Sequence, residues 1–418
     1  MPKPIALLVA GMLSLTGSVA APAVELTMGS WRTDAIEQWN DILAVFQQTH
    51  PDISITFQPT NTAQYLAQLR TQLEAKTGPD IVSCKPFDDS LDDFSKGYLA
   101  DLTGMPGLEN FPDSALVGWQ TDDKQHIYCV PVASVLHGYF YNKDIFEELS
   151  LTPPKTVSEF LAVADKIKAA GRIPLASATK TTQVPYELGF NLQVPNFCDG
   201  ENGRQALIAG TKKFTDQCFV DALSFINKWS AYMPDDQQSI SLTDLQQLFL
   251  FGETAIFPSG SWEVASFAQG TDFEVGAFPP VLPDGADPKN CWLDDHVDMG
   301  IGMNAFTQHP EEVKVFLEWL TTAEFAQLFG AMQPGSYSLS KWPVVSDNEL
   351  NNTLISWRDT CKSTIRLPEQ ILSRGTPAMR QLLDENIAKM VNGEETPEQL
   401  AQIVQDGLAS WYVPQQSK

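Results

Sequence analysis

Apolar residues early in the chain alternate between strand-like and helix-like spacing. Residues 24–28 form a short apolar run that predicts a strand. The next apolar residues recur every three or four positions, which predicts a helix with one buried face: Ile36, Trp39, Leu43 and Phe46. A second strand and helix follow at 53–57 and 66–73, and a third strand at 81–84. This β-α-β-α-β order is typical of a mostly parallel sheet covered by helices.

The same alternation restarts in the middle of the chain. Residues 127–132 and 137–141 are each strand-like, and the capping box formed by Thr156 and Glu159 opens a helix. Residues 297–303 predict another strand, and the remaining third of the chain reads largely as helix. No linker rich in Pro, Gly or Ser separates the two regions. We therefore expect two α/β lobes joined by several short crossings, with a cleft between them.

The first 23 residues have the features of a secretory signal peptide. Lys3 precedes an uncharged apolar run over 5–20, and the small residues at 18–20 or 21–23 fit a cleavage site. No other stretch reaches 18 apolar residues, so we expect a soluble, secreted protein.

Composition narrows the possible ligands. The chain has 27 Lys and Arg against 52 Asp and Glu, a net charge of −25, which disfavours nucleic acids and anionic membranes. Six cysteines, an even number, favour disulfides in an exported protein, although six allow 15 pairings. No C-x-x-C spacing occurs among them and only five His are present, so no metal site is predicted.

No catalytic or cofactor motif is recognisable. The chain lacks G-x-S-x-G, H-E-x-x-H, the phosphate-binding G-x-x-x-x-G-K and the dinucleotide-binding G-x-G-x-x-G. Adjacent carboxylates such as Asp88-Asp89 are typical of solvated surface, although a glycosidase would use a pair of them. The sequence thus favours a binding protein without cofactor or enzymatic activity, with a secreted glycan hydrolase as the alternative.

Tryptophans at the ends of predicted strands suggest the kind of ligand. Trp31 follows the first strand and Trp262 follows an apolar run ending in Gly260-Ser261. In open α/β sheets, ligands bind beyond the carboxyl ends of the strands. A flat aromatic face suits the C–H face of a sugar ring, whereas Trp39 and Trp319 lie on helical stripes and are predicted to be core.

Several segments together resemble a known family. They are the opening strand with Trp31, residues 78–82, residues 138–146, and residues 252–255 leading into Gly260-Ser261-Trp262. In their order and spacing the chain resembles a family-1 extracellular solute-binding protein, the periplasmic sugar receptor of an ABC importer. The resemblance implies an α/β, two-lobe periplasmic-binding-protein fold, each lobe a mostly parallel sheet flanked by helices, with three hinge crossings near Pro131, Gly276 and Pro334.

The same resemblance implies domain boundaries, partners and a ligand site. The first lobe comprises 24–131 plus 277–334, and the second comprises 132–276 plus 335–418. We expect a monomer that captures a carbohydrate or related polyol, closes over it and delivers it to membrane permease subunits. The predicted ligand-binding residues are Trp31, Arg32, Asn61, Tyr65, Phe87, Asp88, His137, Gln183, Tyr186, Trp262, Asp298 and Tyr337.

Some assignments stay open at the level of sequence. Arg32 fits a sugar hydroxyl, an acidic sugar or an ion pair with Asp34, and His137 fits a ligand contact or a hydrogen-bonded interior position. The stretches 85–87 and 181–185 depart from the family pattern, so the sugar is not identified. A polyamine or an oligopeptide is a further alternative ligand.

The lobe assignment suggests how the cysteines pair. Cys198 and Cys218 lie close in sequence within one lobe, and Cys84 and Cys129 lie on two strands of the other. Pairing these four leaves two cysteines, and a disulfide between those two is expected to tie the lobes together: Cys291 and Cys361.

Overall fold

The computed structural model describes residues 23–416, so the predicted signal peptide lies, except for its last residue, outside the described residues. Ten strands are present in this part of the chain: β1 (Val24–Ser30), β2 (Ile53–Pro59), β3 (Ile81–Cys84), β4 (Val130–Asn142), β5 (Ile173–Leu175), β6 (Thr254–Gly260), β7 (Val275–Phe278), β8 (Trp292–Met303), β9 (Tyr337–Ser338) and β10 (Lys362–Thr364).

The helices of residues 23–416 are α1 (Ile36–Thr49), α2 (Thr62–Glu74), α3 (Asp88–Ser95), α4 (Asp113–Leu116), α5 (Lys143–Glu148), α6 (Val157–Ala169), α7 (Gln183–Pro185), α8 (Asn191–Phe197), α9 (Gly200–Ile208), α10 (Gln217–Asn227), α11 (Leu242–Leu250), α12 (Val264–Gly270), α13 (Pro310–Trp319), α14 (Ala323–Met332), α15 (Glu349–Ser356), α16 (Met379–Val391) and α17 (Pro397–Trp411). Among the described residues, no helix combines the length and the apolar character that a membrane span needs.

The sheet is mixed and follows the order β2-β1-β3-β8-β4-β6-β5. The predicted parallel pairing is present between β1 and its neighbours β2 and β3, and between β5 and β6. β8 pairs antiparallel with β3 and β4, and β4 pairs antiparallel with β6 and β7. The predicted α/β fold class is confirmed, with antiparallel strands at the centre of the sheet.

The two long strands β4 and β8 connect two halves of the molecule. β4 begins beside β8, where Val130 pairs with Ile301, and ends beside β6 and β7, where Tyr141 pairs with Ile256 and Gly276. β8 begins beside β10 and ends beside β3. A third crossing between the two halves lies at β9, where Tyr337 pairs with Ser134 of β4.

Each half has its own apolar core. One buried cluster, drawn from 26–133 and 297–329, contains Trp39 and Trp319, which confirms both predicted core positions. Two further buried clusters are drawn from residues 136–408. We call the half around the first cluster the first lobe and the half around the other two the second lobe.

Two details of the sequence pattern were wrong. The two strands predicted at 127–132 and 137–141 form one strand, β4, whose pairing with β8 shifts register around Ala133. Nearly every β4 residue is buried, so its sequence carries no alternation between polar and apolar faces that would mark it as one strand. On α1, Ile36 is 41% exposed, whereas Ile42 completes the buried face.

All three disulfides join residues that are close in the fold. The predicted pairs Cys84–Cys129 and Cys198–Cys218 are confirmed. The third disulfide pairs the remaining two cysteines, at the start of β8 and immediately before β10. These two strands are neighbours beside the second-lobe core, so the expected tie between lobes was wrong.

Candidate functional site

A cleft of about 720 Å³ lies between the two lobes. Its first-lobe wall is built from the segments that follow β1, β2 and β3, together with part of β8. Its second-lobe wall is built from segments that follow β5, β6 and β10, and from α16. The position of the cleft at the carboxyl ends of parallel strands agrees with the general location of ligand sites in open α/β sheets.

One tryptophan from each lobe lines this cleft. Trp31 follows β1 and is 4% exposed, and its ring packs against Tyr65 with 5.6 Å between ring centroids. Trp262 follows β6 and is half-buried. Trp262 therefore offers aromatic surface to the cleft, whereas Trp31 borders the cleft with its ring almost fully covered.

The Trp262 indole is held from three sides. Its ring lies so close to Gly260 that a Cβ added there would fall 1.9 Å from a ring carbon. Its edge-on neighbour is His137, with 5.4 Å between ring centroids, and its Nε1–H donates to Glu263 Oε1 at 3.1 Å. Only a glycine at position 260 lets the ring pack flat against the strand.

Charged side chains also line the cleft. Four cations and seven carboxylates line the cleft: Arg32, Lys85, Arg366, Arg380, Asp34, Asp89, Glu187, Glu263, Asp298, Glu369 and Asp384. Buried or half-buried charges require partners, because their desolvation is otherwise unfavourable.

Two of the cations are tightly paired. Arg32 Nε and Nη2 donate to the carboxylate of Asp34 at 3.0 Å, and Arg380 Nη2 donates to both oxygens of Glu369 at 2.5 Å. Of the three roles left open for Arg32, the structure favours the ion pair with Asp34.

The other two cations are paired more loosely. Lys85 Nζ lies 3.9 Å from Asp298 Oδ1 and 3.7 Å from the centroid of the Trp31 ring, a cation–π contact. Arg366 Nη1 lies 3.6 Å from Glu187 Oε1 and its Nε lies 3.5 Å from Asp294 Oδ2, while its Nη2 contacts His137. The distances to Asp298 and Glu187 exceed the length of a hydrogen bond, so Lys85 Nζ and Arg366 Nη1 keep donor capacity towards the cleft.

Burial shifts the pKa values of several cleft residues. It lowers the pKa of Lys85, and the nearby carboxylates of Asp298 and Glu187 oppose this shift only in part. Burial, reinforced by surrounding cations, lowers the pKa of His296 well below its usual value. Burial raises the pKa of Glu263 despite three hydrogen-bond donors to its carboxylate.

Five of the twelve predicted ligand-binding residues come together in this cleft: Trp31, Arg32, Gln183, Trp262 and Asp298. The other seven, whose side chains are described next, are not among the residues that line it in the described part of the chain.

Tyr65 and Phe87 belong to the first-lobe core, and each is 3% exposed. The Tyr65 hydroxyl donates to the Ser83 carbonyl at 2.7 Å, so it links α2 to β3. Asn61 is exposed beside the cleft, where its backbone carbonyl accepts from the first turn of α2.

Tyr186 and Tyr337 are 3% and 5% exposed and pack in the second lobe. His137 is fully buried behind Trp262, where its Nδ1 lies 3.1 Å from Asp294 Oδ2 and its Nε2 lies 3.2 Å from Arg366 Nη2. Of the two roles left open for His137, the structure favours the hydrogen-bonded interior position.

Asp88 forms an ion pair across the lobes. Arg374, which follows β10 in the second lobe, donates from Nε to Asp88 Oδ1 at 2.8 Å and from Nη2 to Asp122 Oδ1 at 3.0 Å. Both carboxylates belong to the first lobe. The three residues therefore bridge the lobes directly.

Sequence reasoning missed most of the charged cleft residues. Lys85 and Asp89 follow the predicted third strand. Both could have been predicted from the rule that ligands bind beyond the carboxyl ends of strands, which we call the strand-end rule. Arg366, Glu369 and Arg380 come from a C-terminal segment that no local pattern connects to the cleft.

Comparison with known proteins agrees with this architecture. Residues 29–327 match the family described as bacterial extracellular solute-binding protein. The chain is 24% identical over 295 residues to the multiple sugar-binding protein of Streptococcus mutans, covering 69% of each chain. It is 24% identical over 290 residues to the maltodextrin-binding protein of Bacillus subtilis, covering 66% of this chain and 65% of that one.

Solved structures show the same fold at lower identity. A solute-binding protein in complex with raffinose superposes with a TM-score of 0.75 at 20% identity, covering 94% of this chain and 100% of that one. The family match spans well over half of the chain and includes both Trp31 and Trp262. The chain therefore belongs to the bacterial extracellular solute-binding protein family.

Proposed function

We propose that this protein captures a carbohydrate in the cleft between its lobes and delivers it to the permease of an ABC importer. The observation that carries the proposal is the pair of tryptophans, Trp31 and Trp262, on opposite walls of one cleft among charged side chains. Aromatic faces stack on sugar rings, and charged groups form strong hydrogen bonds with hydroxyls. Sugars are also named in the descriptions of its relatives.

The loosely paired charges suggest how hydroxyls are bound. A sugar hydroxyl accepts one hydrogen bond while donating another. Between Lys85 and Asp298, or between Arg366 and Glu187, it would accept from the cation and donate to the carboxylate. Gaps of 3.9 and 3.6 Å allow such insertion with small side-chain movements.

The proposed mechanism is closure without covalent chemistry. The first lobe rotates against the second lobe about β4, β8 and β9. It comprises residues 24–131 and the segment that runs from within β8 to about residue 334. We place the second crossing in β8, because Gly276 pairs with Tyr141 in the second lobe. Ligand binding favours the closed state, which then docks on the permease as a monomer in the periplasm.

The first experiment identifies the ligand and separates binding from catalysis. Native mass spectrometry of freshly purified protein, followed by thermal melts with a panel of sugars, should reveal a stabilising carbohydrate that is recovered chemically unchanged. Turnover of the sugar would instead favour the glycan hydrolase. Stabilisation by spermidine or by oligopeptides alone would overturn the carbohydrate assignment.

The second experiment tests the aromatic platform. Trp262→Ala should weaken binding by about 2 kcal/mol, roughly thirtyfold, because stacking on the indole is lost. Trp342→Ala is the matched control, since Trp342 is 38% exposed and lies outside the cleft. Trp39→Ala should instead lower stability by about 3–5 kcal/mol. Normal affinity in Trp262→Ala would refute the proposed stacking of the ligand on Trp262.

A further inference from the structure

The carboxylate of Glu263 is buried directly beside the Trp262 indole. Glu263 is 4% exposed although it borders the cleft. Its Oε1 accepts from Trp262 Nε1 at 3.1 Å and from Ser259 Oγ at 3.2 Å, and its Oε2 accepts from Gln246 Nε2 at 2.6 Å. Three neutral donors thus surround this carboxylate.

These contacts fix the orientation of the indole. Gly260 and the His137 ring contact the indole through van der Waals packing alone, and neither contact fixes its rotation as a hydrogen bond at its edge does. The hydrogen bond from Nε1–H to Glu263 holds that edge. Glu263 is itself anchored from β6 through Ser259 and from α11 through Gln246.

We propose that Glu263 is a positioning residue that orients the Trp262 indole so that its free face is presented to the ligand. This inference rests on the proposed carbohydrate binding. It assigns to Glu263 an effect on affinity that passes through the indole N–H and requires no contact between Glu263 and the sugar.

A carboxylate suits this arrangement. All three partners donate hydrogen bonds, and an ionised carboxylate accepts at both oxygens. A glutamine at 263 can still offer its amide oxygen to Trp262 while the amide of Gln246 rotates to accept from its NH₂ group, so an apolar leucine is the variant that removes the acceptor. Burial and the charge of Asp34 raise the pKa of Glu263, so protonation would disturb the same contacts at a higher pH than for an exposed Glu.

The first test needs no ligand. The indole ¹H–¹⁵N NMR signal of Trp262, assigned by its loss in Trp262→Phe, should be displaced in Glu263→Leu, which removes the acceptor of the indole N–H. A signal that is unchanged in Glu263→Leu overturns the proposal. Glu263→Asp, whose shorter side chain withdraws the carboxylate, replaces Glu263→Leu if that variant does not fold.

The second test measures affinity in a double-mutant cycle. With the sugar identified by native mass spectrometry, Glu263→Leu should weaken binding about tenfold in the wild-type background. In the Trp262→Phe background, which keeps an aromatic ring but has no N–H, it should change affinity less than twofold. An equal loss in both backgrounds would mean that Glu263 contacts the sugar directly, which overturns the positioning role.

A matched control exists in the first lobe. Trp319 Nε1 donates to Glu324 Oε2 at 3.1 Å, the same contact placed away from the cleft. Glu324→Leu should displace the Trp319 indole signal and leave affinity unchanged. If no carbohydrate binds the wild-type protein, the proposed function fails, while the indole signal still decides whether Glu263 holds Trp262.

Discussion

The ion-pair bridge between the lobes gives the most direct test of closure. Arg374 of the second lobe donates to Asp88 and Asp122 of the first lobe, partners separated from it by 286 and 252 residues in sequence. Opening of the cleft would separate these groups. Arg374→Gln should therefore shift the equilibrium towards the open form without touching the cleft wall.

The size of the shift follows from the exposure of the three side chains. Arg374 is 30% exposed, Asp88 33% and Asp122 64%, so solvent screens much of the attraction. Ion pairs of this kind contribute about 0.2–1 kcal/mol each. With two carboxylates on one guanidinium, we expect about 1 kcal/mol for the closed state, which corresponds to roughly fivefold in affinity.

Calorimetric titration and small-angle X-ray scattering measure the two consequences. Compared with the wild type, Arg374→Gln should have a larger radius of gyration without ligand and a lower affinity. Raising the salt concentration from about 0.1 M to about 1 M should weaken ligand binding by the wild type more than by the variant, because salt screens the bridge.

Arg172→Gln is the matched control, since Arg172 pairs with Glu148 within the second lobe at similar exposure, 37% and 57%. It should change neither the radius nor the affinity. If Arg374→Gln has the radius and the affinity of the wild type at low salt, the bridge does not contribute to closure and the reasoning is refuted.

Two further predictions concern stability. Because burial lowers the pKa of Lys85 below 10.5, the unfolded chain binds a proton there that the folded chain lacks, so Lys85 contributes a rise in stability as the pH approaches that value, against the fall contributed by buried tyrosines such as Tyr65 and Tyr139, whose pKa values are raised. In denaturant unfolding across pH, the stability of Lys85→Gln relative to the wild type should therefore fall as the pH rises, and a constant difference would show that Lys85 does not contribute. Replacing Cys198 and Cys218 by Ser should lower the free energy of unfolding by about 3 kcal/mol, because their disulfide closes a loop with a sequence separation of 20. Urea unfolding measures this loss, and a loss below about 1 kcal/mol would contradict it.

Local patterns in the sequence predicted elements best where a helix is half-exposed and capped. Thr156 opens α6 as expected, because its side chain accepts from the backbone N–H of Glu159 at the helix start. β4 was split in two because a strand buried on both faces has no polar face to reveal its period. Fully buried strands are therefore where periodicity is least informative.

The strand-end rule found part of the cleft. It placed Trp31 and Trp262 correctly on the cleft walls, because the end of a strand fixes the position of the next residue. It did not separate residues that face the ligand from those that hold the scaffold. Tyr65 follows the second strand as expected, yet its hydroxyl is used to bind the Ser83 carbonyl.

The composition of the chain does not predict the charge of the cleft. A chain with a net charge of −25 gives no hint that four of its 27 Lys and Arg line one site. Those cations come from segments between residues 32 and 380, so only the fold brings them together. Their pairing is set by tertiary contacts such as that between Arg366 and Glu187.

The arrangement of these charges also bears on the charge of the ligand. Arg32 and Arg380 are each satisfied by a carboxylate at hydrogen-bond distance, so neither needs an anion from the ligand. Lys85 has one carboxylate slightly too far away to bond, that of Asp298, and Arg366 has two, those of Glu187 and the buried Asp294. An anionic ligand group would satisfy these two cations while leaving Asp298 and Glu187 without partners, and a ligand ammonium would do the reverse. A hydroxyl satisfies both members of a pair at once, because it accepts from the cation and donates to the carboxylate. The spacing of the open pairs therefore favours an uncharged polyhydroxylated ligand over an acidic sugar or a polyamine.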